Sequence, residues 1–359
     1  MIMQKKSPLE ILIEKLDKEL MARGARVICE KEFEFTDPEG TPQRDKMMAG
    51  VQEYYQIAAP PSQDQAFSHI STRDLAKILM LKTQELNAER GTWGEESRRD
   101  YYEITNSRVR NNANSVAAIC LKDGLIQNGK GNFSIRRKNY GKAFNLCQSE
   151  PFYHQDIAAG RLCTGFLVKK NLIATACHCL DKCNLKDLLF VFGYRITDSL
   201  GAINNILPQN IYKGVEIIKK VYKRLDNGGS GSDWALVKLD REVEGQEIIT
   251  LSKKELICHK NVYIIGHPVG LPLKYSDGAS ISNISDAYFS ADLNVYCGSS
   301  GSPVFDSETH EVIGIAVRGD NEDFRVVENC LKSIIYSRSD RNLKKPECTR
   351  VSEFISYCT

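Results

Sequence analysis

From about residue 112 onward, apolar positions fall in short runs bounded by Gly, Asn, Asp and Pro: Val116–Leu121, Thr164–Val168, Leu172–Thr175, Leu189–Phe192, Val215–Tyr222, Trp234–Leu239, Val262–Ile265, Pro303–Phe305 and Val312–Val317. Runs of this length, rich in β-branched and aromatic residues and regularly spaced, predict the strands of a sandwich or of barrels. The first 90 residues or so follow a different period. Leu9, Leu12, Ile13, Leu16 and Leu20 share one helical face, behind a start signal in which Ser7 caps, Pro8 takes the first helical position and Glu10 reaches back. Gly24 can close that helix, and alternation over Ala25–Phe35 predicts one edge strand. A second helix fits Met47, Met48, Val51, Tyr54 and Tyr55 and stops at Pro60-Pro61. A third fits Ser71 to Asn87, with Leu75, Ile78, Leu79 and Leu86 inward, and Gly91 and Gly94 read as a linker. The pattern therefore divides into a small, mainly helical N-terminal region, residues 1–92, and a β-rich domain, residues 93–359.

Composition changes this picture little. A chain of 359 residues has room for two or three units. Lys plus Arg number 48 and Asp plus Glu 46, so the net charge of +2 gives no overall reason to expect nucleic acid or an anionic membrane as partner. Arg136-Arg137-Lys138, and Lys219-Lys220 with Lys223-Arg224, are small basic clusters without aromatic interleaving and read as solvated faces. No apolar run reaches the roughly 18 residues of a membrane span, and no signal-peptide pattern opens the sequence. A cytoplasmic protein is expected, with export by a route without a cleaved signal left open. Most of the 12 cysteines are then expected as thiols.

Three segments carry chemistry. In Cys163-Thr164-Gly165-Phe166-Leu167-Val168 and Leu172-Ile173-Ala174-Thr175-Ala176-Cys177-His178-Cys179, two apolar strands lead to a His at a tight turn. A general base needs such a place, held by a strand and open to a cleft, and imidazole titrates near neutrality. In Ser232-Asp233-Trp234-Ala235-Leu236-Val237-Lys238-Leu239, an Asp opens an otherwise apolar strand. A carboxylate there must be paired, and an imidazole N–H would satisfy it and fix the tautomer. In Gly298-Ser299-Ser300-Gly301-Ser302-Pro303-Val304-Phe305, a Ser stands in a Gly-rich turn with room for a substrate carbonyl, where the Gly298 and Ser300 N–H groups can form an oxyanion hole.

Taken together and in the order His, Asp, Ser, these segments resemble the chymotrypsin-type, trypsin-like serine peptidases. Gly266-His267-Pro268, then Asp292-Leu293, then Gly-x-Ser-Gly-Ser-Pro is similar to the bacterial glutamyl-endopeptidase branch. The resemblance runs from about Arg98 to the C-terminus. It implies an all-β catalytic domain of two six-stranded antiparallel β-barrels, one at about 112–240 and one at about 246–345, then a C-terminal helix at about 350–357. It implies hydrolysis of protein or peptide substrates by Ser300, with His178 as base and Asp233 orienting it, and no metal or organic cofactor. It places Asn294 and Val295 on one wall of the specificity pocket and Ala316, Val317, Arg318 and Gly319 on the other. Cys163 and Cys179 match a half-cystine pair that brackets the catalytic His in many members. They form one candidate disulfide and Cys330–Cys348 another, against reduced buried cysteine.

The departures carry information too. Ser299 replaces the Asp that, in digestive and clotting enzymes, receives a new N-terminal ammonium after zymogen cleavage. Ala316 stands where glutamyl enzymes have a His, and Asn294 is not acidic, so neither Glu nor Lys/Arg preference is implied. Arg318 is either a contact for acidic substrate residues or a solvated strand end. Cys177 is a space filler or an oxidisable thiol, and zinc at Cys177-His178-Cys179 with Cys183 would consume the base and lacks a second ligand pair. The remaining His residues, His267 among them, are expected in turns or on the surface. The rival to an enzyme is a catalytically inactive protease fold kept as a binding module. The N-terminal region is either an inhibitory pro-region or a module that docks a protein partner.

Overall fold

The computed structural model describes residues 15–16, 18–19, 22, 25–29, 32–36, 42–46 and 75, and then 92–358 apart from 95, 129–130, 161, 182, 202, 204, 224–228, 320–322, 328 and 339–343. The chain divides into two compact units, Met1–Glu89 and Arg90–Thr359. In the first, residues 15, 16, 18, 19 and 22 are helical, as is Leu75. The single edge strand expected at Ala25–Phe35 is instead a hairpin, Ala25–Cys29 against Glu32–Thr36, extended by Pro42–Lys46 into a three-stranded antiparallel sheet. The alternating run was long enough for two strands, because the chain reverses between Cys29 and Glu32. The helix expected over Met47–Tyr55 lies outside the described residues, as does all of the third except Leu75.

Thirteen of the second unit's described strands form its two large sheets: β1 Arg98–Asp100, β2 Val116–Leu121, β3 Leu162–Lys169, β4 Leu172–Thr175, β5 Leu188–Phe192, β6 Ile211–Tyr222, β7 Asp233–Leu239, β8 Asn261–Gly266, β9 Lys274–Ile284, β10 Tyr288–Ala291, β11 Pro303–Asp306, β12 Val312–Arg318 and β13 Glu347–Arg350. Six of them close a barrel in the order β3-β4-β7-β6-β5-β2. A second ring runs β8-β11-β12-β13-β10-β9 and closes through the β8–β9 pairing, with β1 added outside β9. All of these pairings are antiparallel. The second barrel reaches Arg350, past the expected end near 345, because β13 completes it.

The barrels close because their strands bury one or both faces. β4, β5 and β11 are buried throughout, and one apolar cluster joins Phe166, Ile173, Phe190 and Leu236 of the first barrel to Ile265, Phe305 and Ile315 of the second. Each such large side chain contributes about 1.5–3 kcal/mol by leaving water. The shared core fixes the two barrels against each other, and the chemistry-bearing turns emerge beside that seam.

Three local expectations are corrected. The linker read at Gly91–Gly94 contains a short strand, Thr92–Trp93, parallel to Ile335–Tyr336. Trp93 is fully buried, with its ring 5.4 Å from that of Tyr336. The C-terminal helix is two successive 3₁₀ turns, Val351–Glu353 and Ile355–Tyr357, broken at Phe354 (φ −132°, ψ −10°). Burial of Phe354 against Trp234, ring centres 5.9 Å apart, outweighs a continuous helix there. The disulfide is Cys147–Cys330, tying a loop to the hairpin Phe324–Val327/Cys330–Ser333, so Cys330 does not bond Cys348. Cys163 and Cys179 are neighbouring buried thiols, and a hydrogen bond with Cys163 adds to the burial that raises the Cys179 pKa.

Candidate active site

Strands β4 and β7 lie side by side with Thr175 opposite Ala235. His178 follows Thr175 by three residues and Asp233 precedes Ala235 by two, so both leave the barrel at the same end. The turn Cys177–Cys179 is a single 3₁₀ turn that swings the imidazole back over β7. His178 Nδ1 meets Asp233 Oδ2 at 2.6 Å, and the His178 backbone N–H donates to Asp233 Oδ1 at 3.2 Å. Both oxygens of a carboxylate that is only 1% exposed are thereby occupied. Thr349 fixes the backbone beneath it: the Asp233 N–H donates to Thr349 Oγ1 (3.0 Å), which donates to the Asp233 carbonyl (3.1 Å). Trp234, packed by Phe354 and Tyr357, anchors the next residue. A buried carboxylate is tolerable only with such saturation.

Ser300 lies in a turn that glycine makes possible. Gly298 has φ +93°, and a Cβ on it would stand 2.7 Å from the His267 carbonyl oxygen. Gly301 has φ +87°, and its Cβ would fall 1.9 Å from the Thr164 carbonyl oxygen. L-residues are strained in this conformation and no side chain fits either place. Thr164 of β3 pins the turn: its N–H donates to the Ser300 carbonyl (2.9 Å) and its Oγ1 to the Gly298 carbonyl (3.2 Å). The Cys179 thiol, next to His178, also points to the Ser300 carbonyl at 3.5 Å. The N–H groups of Ser299, Gly301 and Ser302 are bonded to the carbonyls of Tyr296, Ala316 and Ser299. Among the described residues no acceptor meets those of Gly298 and Ser300.

A cleft of about 210 Å³ adjoins Ser300, lined by Val295, Tyr296, Ser299, Ala316, Val317, Arg318 and Gly319. Five of the six residues expected to line a specificity pocket are there. Asn294 is not: it faces a second cavity, accepting from the Trp93 N–H at 2.6 Å and donating to Ser97 Oγ at 3.0 Å. Arg318 lines the cleft, yet its guanidinium is engaged, Nε with Glu347 at 2.7 Å and Nη2 with the Gly231 carbonyl at 2.7 Å. It is neither a solvated strand end nor a free anion hook. Burial, with Asp181 and Asp233 nearby, pushes the Cys177 thiol up to about 11, which makes it a poor nucleophile and favours the space-filling reading. His267 serves a turn, as expected, standing at the N-cap of the 3₁₀ turn Pro268–Gly270, but it is fully buried, Nδ1 3.2 Å from the Leu271 carbonyl, its pKa pushed down to about 3 by burial.

Thr164 and Thr349 are the site residues that the sequence pattern did not single out. Their signal was a hydroxyl in an otherwise buried strand, which must find an acceptor. Both find it on the backbone of the residues that carry the chemistry.

Residues 163–315, which include His178, Asp233 and Ser300, match the family model of the trypsin-like peptidase domain. A search of curated proteins finds no match. Among solved structures, the chain is similar to a Glu endopeptidase bound to MPD, at 16% identity and TM-score 0.44, covering 74% of this chain and 98% of that one. It is also similar to the VesB protease of Vibrio cholerae, at 15% identity and TM-score 0.43, covering 73% of this chain and 65% of that one. Over residues 163–315 the chain is therefore similar to the trypsin-like peptidase domain, a likeness that covers less than half of its 359 residues.

Proposed function

We propose that Ser300 is the nucleophile of this peptidase, with His178 as its general base, Asp233 as the group that orients and stabilises the base, and the Gly298 and Ser300 N–H groups as the oxyanion hole. Ser300 Oγ attacks the substrate carbonyl as His178 Nε2 takes its proton. Asp233 holds Nδ1–H and stabilises the imidazolium, and the two N–H groups receive the oxyanion. His178 then protonates the leaving amine, and water repeats the sequence on the acyl-enzyme. The observation that carries the reading is the doubly bonded, buried Asp233 carboxylate at 2.6 Å from His178 Nδ1.

The substrate is a protein or peptide. Among the described residues the lining of the cleft is apolar apart from serines, glycine and a committed Arg318, and holds no carboxylate. That favours an uncharged side chain at the cleaved position over Lys or Arg. The test is cleavage of a peptide library by wild type, Ser300→Ala and His178→Ala chains. Cleavage by wild type alone supports the reading and reads out the preference. A folded wild type that cleaves nothing favours the binding-module alternative. We assign the first 89 residues to docking a protein partner or to inhibition, and a rate comparison between the full chain and one starting at Arg90 separates the two.

A further inference from the structure

Ser299 bonds Tyr296 twice. Its N–H donates to the Tyr296 carbonyl at 2.9 Å, and its Oγ accepts from the Tyr296 N–H at 3.2 Å. The turn that carries Gly298 and Ser300, pinned on one side by Thr164, is thus tied on the other to Tyr296. Tyr296 is held by Ser333 Oγ (3.4 Å) and the Phe324 ring, and also from the other end of the domain. The Arg98 guanidinium lies over the Tyr296 ring, 4.1 Å from its centre. Arg98 is 5% exposed and Tyr296 1% exposed. Glu96 grips the guanidinium with both oxygens, Nε–Oε1 2.8 Å and Nη2–Oε2 2.6 Å, so the buried charge is neutralised and its plane is set. Two residues before Tyr296, Asn294 is held by the Trp93 N–H and by Ser97 Oγ. Trp93 is anchored in turn, buried against Tyr336, and the Gly94 N–H donates to the Tyr336 carbonyl at 2.8 Å.

Resting on the reading of Ser300 and its oxyanion hole, we propose that Thr92–Asp100 is a positioning strap: Arg98 on Tyr296, and Trp93 with Ser97 on Asn294, hold the Gly298–Ser300 turn in its oxyanion-binding form in the uncut chain. The work is done by a guanidinium presented from the side of a continuous chain. No new amino terminus is required, and Ser299, which bonds only within its own turn in the contacts above, has no need of an acid.

The test uses the full chain and a fluorophosphonate probe, whose phosphoryl oxygen needs the same oxyanion donors. The maximal labelling rate and the half-saturating probe concentration are measured separately for wild type, Arg98→Lys, Tyr296→Leu and the double variant. Lysine keeps the charge but cannot lie flat on the ring or grip Glu96 with two parallel bonds. The expected result is a fall of about 10- to 100-fold in maximal rate for each single variant, half-saturation within about threefold of wild type for Arg98→Lys, whose side chain does not line the cleft, and little further loss in the double variant. If Arg98→Lys does not fold, Asn294→Ala, which leaves the buried ion pair intact, is expected to show the same loss of rate without loss of probe binding. A labelled wild type with unchanged rates in the folded variants overturns the strap alone. A folded wild type that takes no label at Ser300 overturns the assignment of the nucleophile and the strap with it.

Discussion

Asp233→Asn is the substitution whose outcome the structure determines most closely. Both carboxylate oxygens accept, Oδ2 from His178 Nδ1–H at 2.6 Å and Oδ1 from the His178 backbone N–H at 3.2 Å. An amide offers one acceptor and one donor. If its oxygen stays on the backbone N–H, its NH₂ faces Nδ1, which must then accept. The ring proton moves to Nε2, the nitrogen that takes the proton of Ser300 in the proposed mechanism. The opposite flip sets NH₂ against the backbone N–H and leaves buried donors facing each other, a cost of about 1–3 kcal/mol. The first arrangement therefore wins and the base is held in the wrong tautomer. Loss of the correct tautomer in this chemistry lowers kcat by about 10⁴, or about 5.4 kcal/mol in the barrier. The assay is steady-state cleavage of the best library peptide, with near-UV circular dichroism to show that the fold is kept. KM is expected within about threefold of wild type, since the cleft residues are untouched. A folded Asp233→Asn chain that keeps more than about a tenth of wild-type kcat/KM refutes the reasoning.

Three further outcomes follow from the same contacts. Gly301→Ala puts a methyl group 1.9 Å from the Thr164 carbonyl oxygen at φ +87°, and denaturant unfolding should show a loss of about 3 kcal/mol or more; a loss under about 1 kcal/mol contradicts the close approach. His267 is held neutral down to about pH 3 while an unfolded His binds a proton near 6.5, so the unfolded chain carries the extra proton between those values. Stability should fall as pH drops through that window, by up to about 1.4 kcal/mol per pH unit from this residue, and His267→Gln should flatten the pH dependence of Tm; an unchanged profile would count against burial of a neutral imidazole. Brief alkylation of the native protein should mark the exposed Cys258 and Cys297 and spare Cys177, with intact labelling of Ser300; early modification of Cys177, mapped by peptide mass, would reinstate it as a reactive thiol.

Much of the first barrel was legible in the sequence because five of its six strands, all but Ile211–Tyr222, are buried almost throughout and read as apolar runs: Leu172–Thr175 was delimited to the residue. The strand Lys274–Ile284 was not, since Lys274, Ser276 and Ser290 opposite it fill buried positions that hydrophobic periodicity does not mark. Lys274 is tolerated there because Asp100, Gln155 and the Pro272 carbonyl take its three protons. The strand Glu347–Arg350 was missed for the same reason: Glu347 is buried only because Arg318 and Lys344 meet it. At the site, the strand context of His178 and Asp233 was readable, since apolar strands ending in a polar residue announce a rim. Thr164 and Thr349 act through backbone hydrogen bonds, and a hydroxyl in a buried strand shows that an acceptor is needed without saying which. The pairing of Cys147 with Cys330 spans 183 residues, and spacing alone could not select it. The burial of Trp93 was hidden by its two flanking glycines, which suggested a linker where a strand was needed to reach Tyr336.

The most direct measurement of the central claim is the site of covalent modification. The full chain is treated with a fluorophosphonate, digested, and mapped by mass spectrometry. The account predicts one stoichiometric adduct, on Ser300, that disappears in Ser300→Ala and forms far more slowly in His178→Ala. An adduct on another serine, or none on a folded chain, would contradict it.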